Sequence, residues 1–238
     1  MNAKVALRYS IVALAVVAGA LWLRGWGWLL IWLAVSLAAQ AIAYAGWGPA
    51  VFRKTNGRLP WTVRIILAPY MICARITVYY YCRKYAPYSQ VAPDVWIGRR
   101  LAHPEACRLI RKGVRAVVDL TAGFPESGPL LTLHYLNIQL LPLTVPTLEE
   151  LQETVEFIQS HARKGAVYVH GALGYSRSVG VVAAYLLDAG FAPNVDMALR
   201  RVRAVTPQTR LDAAWMDRLH EFHAALQTQI QTQTAQAV

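Results

Sequence analysis

The stretch from Val167 to Leu187, VYVHGALGYSRSVGVVAAYLL, decides the fold of this chain. It predicts a buried strand over Val167–Val169, then a loop of small residues with a single arginine, and then an apolar helix from about Ser178. A loop between a strand and a helix N-terminus is well suited to hold a phosphate group, because backbone N–H groups and the helix dipole point at the anion. The stretch therefore predicts an α/β domain with an anion site at this turn.

Each position of this loop has a predicted part in anion binding. Arg177 is expected to bind two phosphate oxygens, Gly174 to permit the tight curl, and the Ser178 hydroxyl to face the loop floor. Backbone N–H groups are expected to converge on the remaining oxygens. They belong to Ala172, Leu173, Gly174, Tyr175, Ser176 and Arg177. None of these roles depends on the residue at 171.

Alternating strand and helix patterns surround the motif. Strands are predicted over 94–98, 114–120 and 133–141, and helices over 103–113, 147–161, 195–205 and from 211 to about 226. Thr147 and Glu150 form the two ends of a capping box. This alternation predicts an α/β domain with a mostly parallel sheet flanked by helices.

The first fifty residues differ sharply from the rest. Val5–Leu23 and Trp26–Trp47 are almost wholly apolar, and each run is long enough to cross a bilayer as a helix. We predict a transmembrane hairpin. A cleaved signal peptide is the alternative, since Ala18–Ala20 resembles a cleavage site, but the second apolar run would still anchor the chain.

Basic residues set the predicted orientation of the hairpin. They lie before it (Lys4, Arg8) and after it (Arg53, Lys54, Arg58, Arg64), whereas the short connection holds only Arg24. The positive-inside rule then places both ends in the cytoplasm. We expect a multi-pass inner-membrane protein whose soluble domain faces the cytoplasm.

A third apolar stretch, Trp61–Tyr81, is bracketed by Arg64 and Arg75 and interrupted by Pro69, which leaves too little uncharged length to span. It is predicted to lie in the membrane interface, or else to be an amphipathic helix packed on the domain. The predicted boundaries are 1–50 for the hairpin, 51–87 for a basic juxtamembrane and interfacial segment, 88–226 for the soluble domain and 227–238 for a disordered tail.

The formal net charge of +11 favours an anionic surface as a partner. Basic residues adjoin the hairpin and recur in the domain, which suits an anionic phospholipid membrane. The chain has no nucleic-acid recognition motif and no interleaving of aromatic and basic residues, so we predict no nucleic-acid partner.

The loop resembles the signature of cysteine-dependent protein tyrosine and dual-specificity phosphatases, H-C-x-x-G-x-x-R-[ST]. The matching residues are His170, Gly174, Arg177 and Ser178. The segments GVRAVVDLT, VPTLEELQETVEFI and AAYLL also resemble the dual-specificity subgroup that includes phosphatidylglycerophosphate phosphatase. The hairpin with GRLPWTVRIILAPY is similar to its membrane-anchored bacterial members. The resemblance covers roughly residues 50–223.

The resemblance implies a thiolate nucleophile at position 171, an aspartate acid on an upstream loop and a supporting hydrogen-bonding role for His170. This chain has Gly171 at the nucleophile position. The acid position falls on Pro142, or on Leu141 if the alignment shifts by one, and neither residue can donate a proton. The resemblance thus implies a phosphatase fold without phosphatase chemistry, a pseudophosphatase that needs no cofactor or metal ion.

Two other motifs do not account for the loop. Ser176 follows Gly174 in a setting similar to the serine-hydrolase elbow, but no serine, acid and histidine order accompanies it. A Walker-type loop would need a lysine after the glycines, and none is present.

Two functions of different class stay open. The chain is either a binding module that holds phosphomonoesters at the membrane, or a natural or engineered inactive variant of an active phosphatase. The ligand is a phospholipid headgroup or a juxtamembrane phosphoprotein. A purely structural role for the anchored domain is a further alternative.

Overall fold

The computed structural model describes residues 2–23, 25 and 27–236 of the 238-residue chain. Arg24, predicted to lie in the connection of the hairpin, is outside the described residues. The chain divides into two compact units. The first comprises the chain up to Arg83 with the loops Ala122–Pro125 and Leu141–Thr144, and the second holds Lys84–Thr121, Glu126–Leu140 and the chain from Val145 onward.

Two long helices begin the first unit. Helix α1 runs from Ala3 to Leu23 and α2 from Gly27 to Ile42, continuing as π and 3₁₀ turns to Phe52. Small buried residues recur every seven positions, namely Ala6, Ala13 and Ala20 in α1 and Gly27, Ala34 and Ala41 in α2, and α2 also buries Ser36 and Gln40. Small residues let two apolar helices approach closely. A Cβ on Gly27 would fall 2.1 Å from the Ala20 carbonyl oxygen, so only glycine fits there.

Both helical stretches, Ala3–Leu23 and Gly27–Phe52, are long and apolar enough to cross a membrane. Their large side chains point outward: Leu14 is 70% exposed and Trp22 84% exposed. A core helix of a soluble domain buries such side chains. The two helices thus carry apolar outward faces in addition to the length that a membrane span needs.

Two shorter helices complete the first unit. Helix α3 spans Trp61–Ile66 and α4 spans Ala68–Cys82, with a break at Leu67. Pro69 follows that break and has no N–H for the Ile65 carbonyl four residues earlier. The Trp32 indole N–H donates to this carbonyl at 3.0 Å. The predicted interfacial stretch is thus a broken helix pair that contacts α2.

The second unit contains a five-stranded sheet. Its strands are β1 (Tyr88–Ala92), β2 (Val95–Arg99), β3 (Val114–Asp119), β4 (His134–Asn137) and β5 (Ala166–Gly171), in the spatial order β1-β2-β5-β3-β4. Only β1 and β2 are antiparallel, and the other pairs are parallel. The predicted α/β class with a mostly parallel sheet is confirmed.

Five helices flank this sheet: α5 (His103–Arg111), α6 (Leu148–Ala162), α7 (Arg177–Asp188), α8 (Val195–Val205) and α9 (Ala213–Gln236). The capping box at the start of α6 forms as predicted. The Thr147 hydroxyl accepts from the Glu150 N–H at 3.1 Å, and the Glu150 carboxylate accepts from the Thr147 N–H at 2.9 Å. Where the sequence predicts a disordered tail over 227–238, α9 continues to Gln236, because no glycine or proline interrupts it.

Helix α7 is the central helix of this unit and is buried from Ser178 to Leu187. Trp215 of α9 packs directly on Gly180, where an added Cβ would fall 2.2 Å from the indole ring. Strand β5 is also buried along its whole length and pairs with both β2 and β3. The turn from β5 to α7 is therefore held between the two most buried elements of the domain.

Candidate phosphate-binding site

The predicted loop connects the end of β5 at Gly171 to the start of α7 at Arg177. The carbonyl oxygens of Ala172 and Tyr175 accept hydrogen bonds from backbone N–H groups outside the loop, at 3.3 and 2.8 Å. In a trans peptide the N–H points opposite to the carbonyl oxygen of the same unit. The N–H groups of Leu173 and Ser176 therefore point away from those bonds, toward the other side of the loop.

Gly174 produces the curl of the loop. Its φ is +75°, in the left-handed region. A Cβ there would fall 2.7 Å from the Gly98 carbonyl oxygen on β2, which is closer than any side chain tolerates. Both the backbone angle and the close approach require glycine, and together they bring the loop against the end of the neighbouring strand.

Arg177 is fixed by two carbonyl oxygens at the ends of parallel chain segments. Its Nη1 donates to the Leu120 and Leu140 carbonyl oxygens, both at 2.8 Å. A Cβ on Gly171 would lie 3.8 Å from the Arg177 Nε. The guanidinium group thus lies beside position 171, and its fork is oriented before any ligand binds.

Ser178 lies beneath the loop in the first turn of α7. It is fully buried, and its Oγ has no hydrogen-bond partner in the described part of the chain. A buried hydroxyl without a partner costs about 1–3 kcal/mol. This hydroxyl is the one that the sequence predicts at the loop floor.

A charged cluster lies behind the loop and was not predicted as a unit. The His170 Nε2 is 2.6 Å from the Glu126 Oε2 and 4.0 Å from the Asp119 Oδ1. The His170 Nδ1 faces the Gly171 carbonyl oxygen at 3.3 Å. All three side chains are buried. A protonated imidazole would form an ion pair with Glu126 at one ring nitrogen and donate to the loop backbone through the other.

Asp119 ties this cluster to the sheet. Its Oδ1 accepts from the Thr121 N–H at 2.8 Å and from the Thr121 hydroxyl at 2.7 Å. Its Oδ2 accepts from the Tyr135 hydroxyl at 2.7 Å. Burial and then the Asp119 charge raise the pKa of Tyr135 above its usual range, so Tyr135 remains a donor. These bonds give Asp119 a structural role.

The charge of His170 follows from its two carboxylate neighbours. Burial lowers the pKa of His170, but the carboxylates of Glu126 and Asp119 and the Gly171 carbonyl outweigh burial, so the pKa is raised above its ordinary value. The raised pKa favours the protonated form of the imidazole behind the loop. The imidazole orients the backbone of residue 171 and is not free to act as a base.

The same three side chains could be considered as metal ligands, since their donor atoms lie within 4.8 Å of one another. However, the 2.6 Å between His170 and Glu126 is a direct contact. Two ligands on a tetrahedral zinc ion with bonds of about 2.0–2.1 Å lie about 3.3 Å apart. The arrangement therefore fits an ion pair better than a metal site.

Removal of the Glu126 charge should destabilise the domain. Breaking a buried pair by changing one partner costs several kcal/mol, and we expect Glu126→Gln to lose about 3 kcal/mol. At about 2–4 °C per kcal/mol for a chain of this size, the Tm should fall by roughly 6–12 °C. Exposed Glu153 on α6 supplies the matched control, Glu153→Gln, which should leave the Tm unchanged.

The pH dependence of this effect has a fixed sign. The pKa of His170 is raised in the folded state above the unfolded value of about 6.5. Protonation of His170 therefore stabilises the fold fully below about pH 6.5, and this stabilisation is lost as the pH rises through the folded-state pKa. The Tm difference between wild type and Glu126→Gln should therefore be largest in mildly acidic buffer and shrink in alkaline buffer. A difference that is absent or that grows with pH would contradict the ion pair.

The predicted acid position lies in the first unit. The Pro142 carbonyl oxygen accepts from the Tyr44 hydroxyl at 2.9 Å, and Pro142 is exposed. Leu141 is 4% exposed and packs in the apolar cluster that includes Tyr44 and Phe52. This loop and the phosphate loop belong to different units. Of the two alternatives for the acid position, only Pro142 presents its side chain to solvent.

A buried strand, a tight loop that curls at Gly174 and an arginine at the first turn of the following helix form the arrangement that the sequence predicts for an anion-binding turn in an α/β domain. The chain belongs to the dual specificity phosphatase family, whose catalytic domain matches residues 95–225. The human protein named phosphatidylglycerophosphatase and protein-tyrosine phosphatase 1 is 27% identical over 148 residues, which are 57% of this chain and 73% of the human protein. The predicted resemblance to this superfamily is confirmed.

Solved structures with the same fold include PTPMT1 in complex with PI(5)P and human DUSP28. The first has a TM-score of 0.55 and 23% identity over 61% of this chain and 99% of that chain. The second has a TM-score of 0.52 and 24% identity over 60% of this chain and 96% of that chain. At these identities the likeness shows the fold of the second unit.

Glu126 is the site residue that sequence reasoning missed. It lies in the irregular segment between β3 and β4, 44 residues before its partner His170, and no spacing or periodicity links the two. A buried histidine directly before the loop does require a counter-ion or a hydrogen-bond acceptor, and this requirement was the only available signal. This requirement does not identify which acidic residue contacts the His170 imidazole.

Proposed function

We propose that this chain binds a phosphomonoester in the 170–178 loop and does not hydrolyse it. The observation that carries the proposal is the position of Arg177, whose guanidinium is held by two carbonyl oxygens beside a residue with no side chain. The anion-binding parts, namely inward N–H groups, helix N-terminus and oriented guanidinium, are properties of the backbone and Arg177. A bound phosphate oxygen would also give the buried Ser178 hydroxyl an acceptor.

The absence of hydrolysis follows from two positions. Gly171 stands where the family resemblance implies the cysteine nucleophile, and glycine has no group that can attack phosphorus. Pro142 or Leu141 stands where it implies the acid, and neither residue holds a proton to give. His170 does not replace either group, because it is engaged by Glu126.

We expect no turnover of a generic aryl phosphate by the purified full chain. The rate should equal that of Arg177→Ala, which serves as the control for contaminating phosphatases. The measurement is release of the chromogenic phenolate under continuous assay. A wild-type rate clearly above the Arg177→Ala rate would contradict inactivity and would require another nucleophile.

A phospholipid is the ligand class that the relatives favour. One relative is named a phosphatidylglycerophosphatase, and the PTPMT1 structure contains PI(5)P, a phosphoinositide. Both ligands of those proteins carry a phosphomonoester on a lipid headgroup. A phosphorylated protein presented at the membrane has the same group, and competition between the two ligand types for wild-type chain would separate them.

The anchoring of the domain is part of the proposal. Helices α1 and α2 are long and apolar enough to span, and their large side chains are exposed. The basic residues on either side of them suit the anionic inner leaflet of a bacterial inner membrane, with the soluble domain in the cytoplasm. The tyrosines at the end of α4, such as the 63% exposed Tyr79, are typical of headgroup depth.

Reporter fusions would test this orientation. Fusions after residue 55 and at the C-terminus should both show cytoplasmic activity, because the basic residues retain both flanks of the hairpin on that side. A fusion within the connection, after Gly25, should report the periplasm and serves as the internal control. Periplasmic activity of either of the first two fusions would overturn the proposed topology.

A further inference from the structure

A groove of about 410 Å³ lies on the first unit, where α2 meets the broken helix pair α3 and α4. It is lined by Trp32, Trp61, Arg64, Ile65, Ile72 and Arg75, among others. Its volume is within the ordinary range of sites for small ligands, about 300–1,000 Å³. No role in the phosphate loop or in the anchoring of the chain requires such a groove.

The helix break at Leu67 shapes the groove. Two side chains of α2 bind the last carbonyls of α3: the Trp32 indole N–H donates to Ile65 at 3.0 Å, and the Ser36 hydroxyl donates to Ile66 at 2.6 Å. These bonds satisfy carbonyl groups that a break in a helix would otherwise leave without donors. They also fix the indole of Trp32 as one wall, so the groove is pre-formed.

The charge of the groove is positive without compensation. Arg64 and Arg75 are both exposed and line the same groove. The first 83 residues contain nine lysines and arginines and no aspartate or glutamate, so nine of the eleven net charges are in this part. No acidic side chain is available within that segment to pair with either guanidinium, and an anionic ligand would be the partner.

The rest of the lining is apolar and aromatic. Ile65 and Ile72 are 55% and 53% exposed, and Trp61 is 72% exposed, beside two guanidinium groups. A free inorganic anion would leave these side chains in water. An anionic amphiphile matches both the charged and the apolar lining of the groove. Its phosphate pairs with arginine, and its glycerol and first acyl carbons cover the isoleucines.

We propose that this groove is a binding site for the headgroup of an anionic glycerophospholipid. Arg64 and Arg75 bind the phosphodiester, the indoles of Trp32 and Trp61 lie at the level of the glycerol, and the isoleucines contact the acyl chains. The site is separate from the 170–178 loop, which takes phosphomonoesters. The inference rests on the membrane anchoring proposed above and is independent of the anion site at Arg177.

Native mass spectrometry of the full chain in detergent tests this site. The probe is phosphatidylglycerol, titrated against phosphatidylcholine with the same acyl chains. Wild type should bind one phosphatidylglycerol selectively. Arg64→Gln with Arg75→Gln should weaken this binding roughly 25-fold, at about fivefold for each charge removed. Inorganic phosphate should not displace the lipid, which distinguishes a lipid headgroup from free phosphate as the ligand.

Matched variants separate the groove from general charge. Arg58→Gln with Arg83→Gln removes two exposed charges of the same unit that do not line the groove, and it should weaken binding less than threefold. Arg177→Ala should leave phosphatidylglycerol binding unchanged, since the loop takes monoesters. If the double groove variant fails to fold, Arg64→Gln and Arg75→Gln are measured singly and each should lose about fivefold.

Several results would contradict a lipid site in the groove. Wild type would bind the two lipids equally, or the groove variants would bind phosphatidylglycerol as wild type does. The Arg58 and Arg83 control would lose as much binding as the groove variants, or inorganic phosphate would displace the lipid. Loss of phosphatidylglycerol binding in Arg177→Ala alone would assign the lipid to the loop instead. If the chain binds phosphatidylglycerol selectively but binds no phosphomonoester, the proposed function is contradicted and the lipid site in the groove is supported.

Discussion

Gly171→Cys is expected to turn the chain into a slow phosphatase that forms a covalent phosphoenzyme. The position can accept the side chain: its φ is not in the left-handed region, and a Cβ there would meet nothing nearer than 3.8 Å. The thiol would lie beside the Arg177 guanidinium and at the helix N-terminus, and both lower the pKa of a cysteine. The nucleophile would then act as a thiolate at neutral pH.

The measurement is aryl phosphate turnover together with trapping of the phosphoenzyme in intact-protein mass spectra. Gly171→Ser is the matched control, since its hydroxyl has nearly the same size but is not ionised at neutral pH, and it should remain inactive. If Gly171→Cys folds, retains anion binding and still gives no phosphoenzyme, then position 171 is not the nucleophile position and the family alignment of the loop is wrong.

An added acid should accelerate the cysteine variant. Pro142→Asp in the Gly171→Cys background places a carboxylic acid at the exposed alternative for the acid position, and general acid catalysis contributes roughly 10²–10⁴-fold when the group is well placed. Leu143→Asp is the control, because Leu143 is the exposed neighbour and its φ of +59° is one that aspartate tolerates. Equal acceleration by both variants would argue against a specific acid position.

Arg177→Ala should abolish anion binding in every background. The guanidinium is expected to supply two charge-assisted hydrogen bonds, and the loss of both should weaken vanadate binding roughly 100-fold or more. Arg177→Lys preserves the charge but not the fork and should recover only part of the affinity. Arg203→Ala removes an exposed arginine of α8 and should have no effect. Circular dichroism would show whether each variant is folded.

The sequence predicted the elements whose signals are local. The buried apolar run of β5, the small-residue loop and the apolar α7 are visible in residues 167–187, and the capping box at Thr147 marks the start of α6. Strand β1 was missed because its five residues, Tyr88–Ala92, carry little apolar alternation, and it is an antiparallel edge strand held by β2.

The parts that could not be predicted depend on contacts between distant segments. The ion pair of Glu126 with His170 joins a loop without periodicity to the end of β5. The two carbonyl oxygens that hold Arg177, from Leu120 and Leu140, are backbone groups and have no sequence signal at all. The groove beside Trp32 likewise forms only because α2 contacts a helix break more than thirty residues later.

The central claim is that the anion site is intact although the nucleophile is absent, and calorimetric titration of phosphate or vanadate into the full chain tests it most directly. Saturable binding is expected for wild type and none for Arg177→Ala. Inorganic phosphate, which binds without a covalent bond, should bind more weakly in Gly171→Cys, because a thiolate beneath the anion repels it. If folded wild type binds neither anion and is indistinguishable from Arg177→Ala, the loop has lost its ligand as well as its chemistry, and the domain has a structural role.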